Sequence, residues 1–344
     1  MDLQNIKDMW QNKTLRDGES RHIYLHTPFC VGVCNYCMYN SVDMIDSNKK
    51  EYDKYFHGLL SQIRDFKDIL TNNPTDSIYF GGGTPSIMPF EVLKQIAGEI
   101  PHWDDIKVKV FEANPVSTTK DKIDVLSQLG FTYLAFGVQT LDGEELKRQN
   151  RKPPRNGHLK EITQYALEKG MHVNYDIMTL LNDNLEEDME RVYCDLMTIM
   201  KEYKPPSIDI YPMDQKLNNI SHEEVLKKIK ALRRTIAKAS YFNKDYHISG
   251  GMGAVSLDNS ENILRTCKEN YHLLNIPDNV FFGERKAYSC SGPGTAPMHQ
   301  NVISFGGYRD SWVYSYSADR EFVYYTQLDE DGNVKYAVRR GYCE

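Results

Sequence analysis

Three cysteines stand close together near the start of the chain. Cys30, Cys34 and Cys37 lie in HTPFCVGVCNYC, spaced C-x3-C-x2-C, with Tyr36 just before the last. Three thiolates can hold three irons of a four-iron cluster and leave the fourth iron without a protein ligand. An electron-transfer ferredoxin would fill that position with a fourth cysteine. An open iron is instead a place to bind and activate a small molecule. Two other chemistries fit the same residues. Zinc could be held with His22 or His26 as the fourth ligand, although zinc sites usually use C-x2-C pairs and no second pair exists here. The thiols could also be buried structural groups.

A second cluster of chemically suggestive residues is Gly81-Gly82-Gly83-Thr84-Pro85-Ser86. Glycines let backbone approach a ligand closely and present N–H groups to a carboxylate or phosphate. The run lacks the Gly-Lys-Ser/Thr of a phosphate loop and the G-x-G-x-x-G of a dinucleotide fold. Taken alone it reads as a tight turn.

The elements that must position these residues alternate along the chain. Strand-like segments are His22–Thr27, Ser77–Phe80, Lys109–Ala113, Tyr133–Val138, His172–Ile177 and Ser207–Tyr211, all rich in β-branched and aromatic residues. Helical patterns fall at Tyr52–Leu70, Pro89–Glu99, Thr119–Leu129, Asn156–Lys169, Leu185–Tyr203 and Ser221–Ser240. Thr118-Thr119 reads as a helix start, Gly130 as its stop, and Ser221 with Glu224 as a capping box. Six such alternations imply a parallel α/β sheet, either doubly wound or an incomplete barrel. Cys30, the glycine run, Glu112, Gln139 and Asp176 fall at successive strand ends, where barrels collect their chemistry. After about Tyr241 the alternation fades into glycine- and tyrosine-rich pieces. These close in a hairpin, Phe322–Leu328 with Val334–Arg339, turning at Asp331-Gly332-Asn333. The tail is expected to cover the barrel and shape a substrate pocket.

Taken together the segments resemble the radical S-adenosylmethionine (SAM) superfamily, and within it the oxygen-independent coproporphyrinogen III oxidase-like group. The resemblance is carried by IYLHTPFCVGVCNYC, IYFGGGTPS, FEANP, FGVQTLDGEELKRQNR and VNYDIM, in that order, and continues weakly through ISFGGYRDSWVYSYS. It implies a partial (β/α)6 TIM-type barrel over residues 21–240. Residues 1–20 would be an N-terminal extension and residues 241–344 a small α+β cover that shapes the substrate site. It implies a [4Fe–4S] cluster on Cys30, Cys34 and Cys37, with SAM, one molecule or two, chelating the open iron. Tyr24 and Tyr36 would pack beside these cofactors. Gly82, Gly83 and Thr84 would meet the methionine amine, Glu112 an ammonium or the ribose, and Arg151 the carboxylate. Gln139 and Asp176 would take the ribose hydroxyls. The implied activity is reductive cleavage of SAM to a 5′-deoxyadenosyl radical that functionalises a C–H bond of a small organic substrate. The implied electron donor is a flavodoxin or ferredoxin.

Departures from the group's pattern bear on the substrate. Tyr39 stands where some relatives carry a further cysteine. MHQNVISFGG lacks the Tyr-Trp pair of the heme-chaperone branch, and only a short stretch of the sequence follows it, where an oxidase would be expected to continue into a long helical C-terminal domain. Two alternatives stay beside C–H functionalisation. One is a C-methyltransferase using a second SAM; the other is a heme-binding chaperone or porphyrin-modifying enzyme.

Bulk properties narrow the partners. A net charge of −7 and scattered basic residues give no footprint for a nucleic acid. No apolar run has the length of a membrane span, and the polar N-terminus lacks a signal peptide's apolar stretch. A cytoplasmic location is expected. Seven cysteines is an odd count that argues against a disulfide framework. Cys194 sits in a helical pattern and reads as core. Cys267, Cys290 and Cys343 lack the pairing of a second cluster, and Cys290 or Cys343 could be a reactive thiol facing substrate.

Overall fold

The computed structural model of the chain describes residues 2–15, 19–37, 41–44, 49–72, 75–213, 216, 220–243, 245–250, 255–258, 281–282, 300–308, 312–317 and 323–338. Tyr39, Cys267, Cys290, Cys343, Phe322 and Arg339 lie outside these residues, so the expectations placed on them have no structural counterpart.

All six expected strands form: β1 (Ser20–Thr27), β4 (Ser77–Gly82), β5 (Val108–Ala113), β6 (Tyr133–Gln139), β7 (His172–Thr179) and β8 (Ser207–Pro212). They pair in parallel in that order. Two-residue strands β2 (Phe29–Cys30) and β3 (Val42–Asp43) pair beside the cysteine loop. The helices on the outside are α2 (Lys49–Asp65), α3 (Lys67–Asn72), α4 (Phe90–Glu99), α5 (Lys120–Gln128), α6 (Gly143–Arg148), α7 (His158–Glu168), α8 (Leu185–Thr198) and α9 (His222–Phe242).

Local chemistry explains the helix boundaries. The Thr119 side chain accepts the Lys122 N–H and Ser221 accepts that of Glu224, satisfying amides that have no partner inside the helix. Gly130 closes α5 at φ +74°, where the Phe131 N–H returns to Leu126 O. Two expected helices are interrupted. The first breaks at Phe66, which is fully buried against Phe305. The second ends in a wider π turn over Ile199–Tyr203. In both places packing outweighs local helical preference.

The strands alternate their two faces. Ile23, Leu25, Ile78, Phe80, Phe111, Leu134, Phe136, Val173, Tyr175 and Ile208 form the main core beneath the helices. Each such side chain stabilises the fold by about 1.5–3 kcal/mol. The intervening positions line the barrel interior: Tyr24, Tyr79, Val108, Val110 and Tyr133 among the aromatic and aliphatic ones.

The tail joins this sheet. Strand β12 (Gln300–Phe305) pairs in parallel with β1, which makes the parallel run seven strands, β12-β1-β4-β5-β6-β7-β8. Beyond β12 follow the antiparallel strands β13 (Trp312–Tyr316), β14 (Val323–Leu328) and β15 (Val334–Val338), with β11 (Phe281–Phe282) against β13. The expected hairpin is β14–β15, with Gly332 at φ +83° in its turn. On the other edge β10 (Val255–Asp258) and β9 (His247–Gly250) run antiparallel to β8 and to each other. Both edges are extended rather than joined, so the barrel is partial.

The first residues form α1 (Leu3–Gln11), whose Trp10 is fully buried and donates its indole N–H to Tyr324 at 2.9 Å. Among the described residues no helix is long and apolar enough to cross a membrane.

Candidate active site

The cysteine loop runs out of β2 at the C-terminal end of β1 and folds back beside the ends of β4 and β6. Its shape is fixed by backbone bonds and by the packing of Phe29 and Tyr36 into the core. Val42 N donates to Pro28 O, Met44 N to Cys30 O, and Cys37 N closes a turn onto Cys34 O. The last residue of α6 and those just after it hold its other side. Asn35 donates its backbone N–H to Gln149 O at 3.0 Å and its side-chain amide to Arg148 O at 2.9 Å. Asn150 donates to Val33 O at 2.8 Å from a left-handed backbone, φ +55°, that asparagine tolerates.

The glycine run meets the loop directly. Thr84 Oγ1 donates to Cys30 Sγ at 3.3 Å. A Cβ on Gly83 would stand 2.8 Å from Phe29 O and 2.9 Å from Cys30 Sγ, so only glycine fits. Gly82 has φ +103°, and a Cβ there would collide with the His26 ring. Both glycines are therefore required by close approach.

Arg151 arrives from the α6 side. One guanidinium nitrogen lies 3.5 Å from Cys34 Sγ and another donates to Gly137 O. Gly137 makes room for this: a Cβ there would be 2.9 Å from Gln139 Nε2 and 3.3 Å from the Arg151 guanidinium. Strand β6 shifts register between Gly137 and Gln139, and Gln139 takes φ +68°. Such irregularities recur where a strand must re-aim a side chain. Burial works to lower the Arg151 pKa, but the neighbouring Cys34 and Cys30 sulfurs hold it above the ordinary arginine value. Burial pushes the Cys30 thiol up, against the Thr84 hydrogen bond and Arg151. The Tyr36 hydroxyl is likewise pushed up by burial and stays protonated.

Thus Cys30, Cys34, Tyr36, Gly83, Thr84, Gln139 and Arg151 come together as one group. Cys37 Sγ lies 3.9 Å from Ser41 Oγ and close to Tyr36 in the same group. Tyr24 and Glu112 are joined through a residue the sequence reading did not single out. Tyr24 stacks on Tyr79 at 6.0 Å, and Tyr79 donates its hydroxyl to Glu112. Asp176 is engaged by Asn174 at 2.8 Å and faces Asp209 on the next strand. Tyr79 and Asp209 were legible as members of the interior-facing alternation of IYF and SIDIY. A third omission is Asp188, Arg191 and Asp195, at helical spacing on one face of α8. Arg191 bonds both carboxylates, at 2.8 and 3.0 Å. Asp195 accepts from Thr140 and Leu141 after β6, and Asp188 from Leu180 after β7. This buried triad ties down two loops at the barrel mouth.

One expectation is corrected. Cys194 is exposed, not core. The buried stripe of α8 runs through Met189, Val192 and Leu196, and position 194 turns away from it, 3.9 Å from Glu190.

His22 and His26, the histidines a zinc site would recruit, aim ring nitrogens at Ser77 Oγ, 2.7 Å, and Tyr24 OH, 3.1 Å. Among the described residues no three His, Cys, Asp or Glu side chains converge on one metal-ion position.

Comparison with known proteins places this geometry. The model of the radical SAM superfamily matches residues 24–196, half of the chain, from the first barrel strand to α8. The chain belongs to the radical SAM superfamily. Radical SAM proteins use a [4Fe–4S] cluster and SAM. Among similar curated proteins is the heme chaperone HemW of Haemophilus influenzae, 30% identical over 200 residues, which cover 56% of this chain and 50% of that protein. The oxygen-independent coproporphyrinogen III oxidase of Synechocystis is 29% identical over 137 residues, 38% of this chain and 29% of the relative. The chain spans about half the length, or less, of these curated relatives. The solved coproporphyrinogen III oxidase HemN of Escherichia coli, described as a radical SAM enzyme, superposes with a TM-score of 0.68 at 18% identity. That match covers 96% of this chain and 70% of the other and shows a shared fold. Within the superfamily the chain is thus similar to heme chaperones and coproporphyrinogen oxidases in sequence, and to a coproporphyrinogen oxidase in fold.

The residues present suit an anionic cluster. Three sulfurs stand on one loop, a guanidinium and a hydroxyl face two of them, and glycines clear space beside Cys30.

Proposed function

We propose that this chain is a radical SAM enzyme whose Cys30, Cys34 and Cys37 ligate three irons of the cluster. The single observation that carries this reading is the convergence at one mouth of Thr84 on Cys30, 3.3 Å, and Arg151 on Cys34, 3.5 Å. Bound there, the cluster and SAM would supply radical chemistry for hydrogen-atom removal from a small organic substrate.

The chain's own residues do the rest. Arg151 offsets the negative charge of the thiolates and offers a planar fork to the methionine carboxylate. Backbone at Gly82–Thr84 would meet the methionine amine, and Glu112, held by Tyr79, would take its ammonium or the ribose. Gln139 and Asp176 would take the ribose hydroxyls. Tyr24 and Tyr36 wall the site and keep water from it. Flavodoxin or ferredoxin supplies the electron, and the site acts in the cytoplasm.

The test is reconstitution with iron and sulfide under anaerobic conditions. The wild-type chain should bind both stoichiometrically and release 5′-deoxyadenosine from SAM and reductant. A Cys30/Cys34/Cys37→Ala variant that kept its iron and sulfide would overturn the assignment. S-adenosylhomocysteine formed alongside would mark methyl transfer. A second reading, heme delivery, is favoured by the likeness to proteins named heme chaperones. Tight heme binding with neither product would select it.

A further inference from the structure

Inside the barrel, beneath Asp176, three neighbouring strands share one hydrogen-bonded chain. Tyr133 of β6 and His172 of β7 are register partners and stack at 4.4 Å with 15° between their rings. Both reach Ser207 of β8: His172 Nε2 lies 2.7 Å and the Tyr133 hydroxyl 3.2 Å from its Oγ. Ser207 donates to Asn174 Oδ1 at 2.7 Å. Asn174 Nδ2 then donates to two carboxylates, Asp176 Oδ1 at 2.8 Å and Asp209 Oδ2 at 3.2 Å. The Tyr211 hydroxyl also lies 3.4 Å from Asp209 Oδ2. Asn174 is 2% and Ser207 4% exposed, so water does not substitute for these partners.

The direction of this chain is determined. Ser207 has one proton and gives it to Asn174, so its oxygen must accept from His172 and Tyr133. Burial leaves His172 neutral, and because the Ser207 oxygen must accept, the proton is assigned to Nε2. Turning the Asn174 amide over would set its carbonyl against two carboxylates and its NH2 against the hydroxyl donor. The two carboxylates, which only accept, therefore fix which end of the amide points up, and Ser207 anchors the other end. Asp176 and Asp209 occupy paired positions on parallel strands, about 4.8 Å apart across the sheet. Two ionised carboxylates at that spacing repel, and the two N–H groups of Asn174, one for each, hold them in place.

We propose that Asn174, anchored by Ser207, is the positioning residue for Asp176. It sets that carboxylate, with Asp209 beside it, toward the hydroxyls of the nucleoside half of SAM. The inference rests on the ribose role proposed for Asp176, and the test separates the two.

The test is equilibrium binding of S-adenosylhomocysteine and, separately, of free methionine to the reconstituted holoprotein. Asn174→Leu should weaken S-adenosylhomocysteine about tenfold or more, leaving iron content and methionine affinity unchanged. Ser207→Ala should show a smaller loss in the same ligand, and Ser207→Thr, which keeps the hydroxyl, should restore it. Should Asp176→Asn leave S-adenosylhomocysteine affinity intact, the ribose role itself is wrong. Should Asp176→Asn weaken binding while Asn174→Leu does not, the positioning role is wrong. Equal loss of both ligands in Asn174→Leu would show a general structural defect and also overturn it. If Asn174→Leu does not fold, the Ser207→Ala and Ser207→Thr pair decides.

Discussion

Arg151 joins two parts of the barrel mouth that are far apart in the chain: one guanidinium nitrogen stands 3.5 Å from Cys34 Sγ while another donates to Gly137 O at the end of β6. Arg151→Lys keeps the charge but has no fork to satisfy both partners. It should weaken SAM about tenfold or more, the worth of one charge-assisted hydrogen bond. The iron content should stay near that of the wild type. Titration of the anaerobic holoprotein with SAM checks this; unchanged affinity would remove Arg151 from the site.

Gly83 and Gly98 make a matched pair of tests. A Cβ at Gly83 meets Phe29 O, Cys30 Sγ and Thr27 O within 3.0 Å, whereas one at Gly98 in α4 meets nothing within 4 Å. Gly83→Ala should cost about 1–3 kcal/mol and lower iron incorporation, because the cysteine loop has to move. Gly98→Ala should stabilise by about 0.5–1 kcal/mol, since an exposed helical glycine gives up only backbone freedom. Denaturant unfolding of both variants measures the contrast.

Arg191 lies between two buried carboxylates, Asp188 and Asp195. Removing it strands both charges, so Arg191→Ala should cost about 3–5 kcal/mol. The loops after β6 and β7 should become the first sites of hydrogen exchange. Retention of wild-type stability would mean that the triad does not secure the mouth.

His172 gives the fold a pH dependence of known sign. Burial lowers its pKa to about 4, against about 6.5 in the unfolded chain. Between those values the unfolded chain takes up a proton that the folded one refuses. The contribution is therefore fully present above about pH 6.5 and is lost as pH falls toward 4, by at most about 3 kcal/mol. His172→Phe keeps the stack on Tyr133 and should flatten the melting temperature across that window relative to wild type. Parallel profiles for the two proteins would contradict this origin.

Much of this molecule was legible in one dimension. The six barrel strands appear where β-branched and aromatic residues alternate, because one face packs under helices and the other lines the barrel. Thr119, Ser221 and Gly130 marked helix ends because capping is local chemistry among residues a few positions apart. The cysteine spacing and glycine run were also visible, since both are short segments whose function depends on contiguous residues.

Tertiary structure decided the rest. The tail, expected as a cover, supplies a strand parallel to β1, and no local pattern encodes which distant strand will pair. Cys194 faces solvent because the rotation of α8 is set by Met189, Val192 and Leu196 against the core. Tyr79 beneath Glu112, Asp209 beside Asp176 and the chain from Tyr133 to Asn174 join residues from different strands. Composition and spacing by themselves determined that this protein would present three thiols at a strand end. Which guanidinium, amide and hydroxyl surround them follows only from strand register, which brings distant side chains to one face at hydrogen-bonding distance.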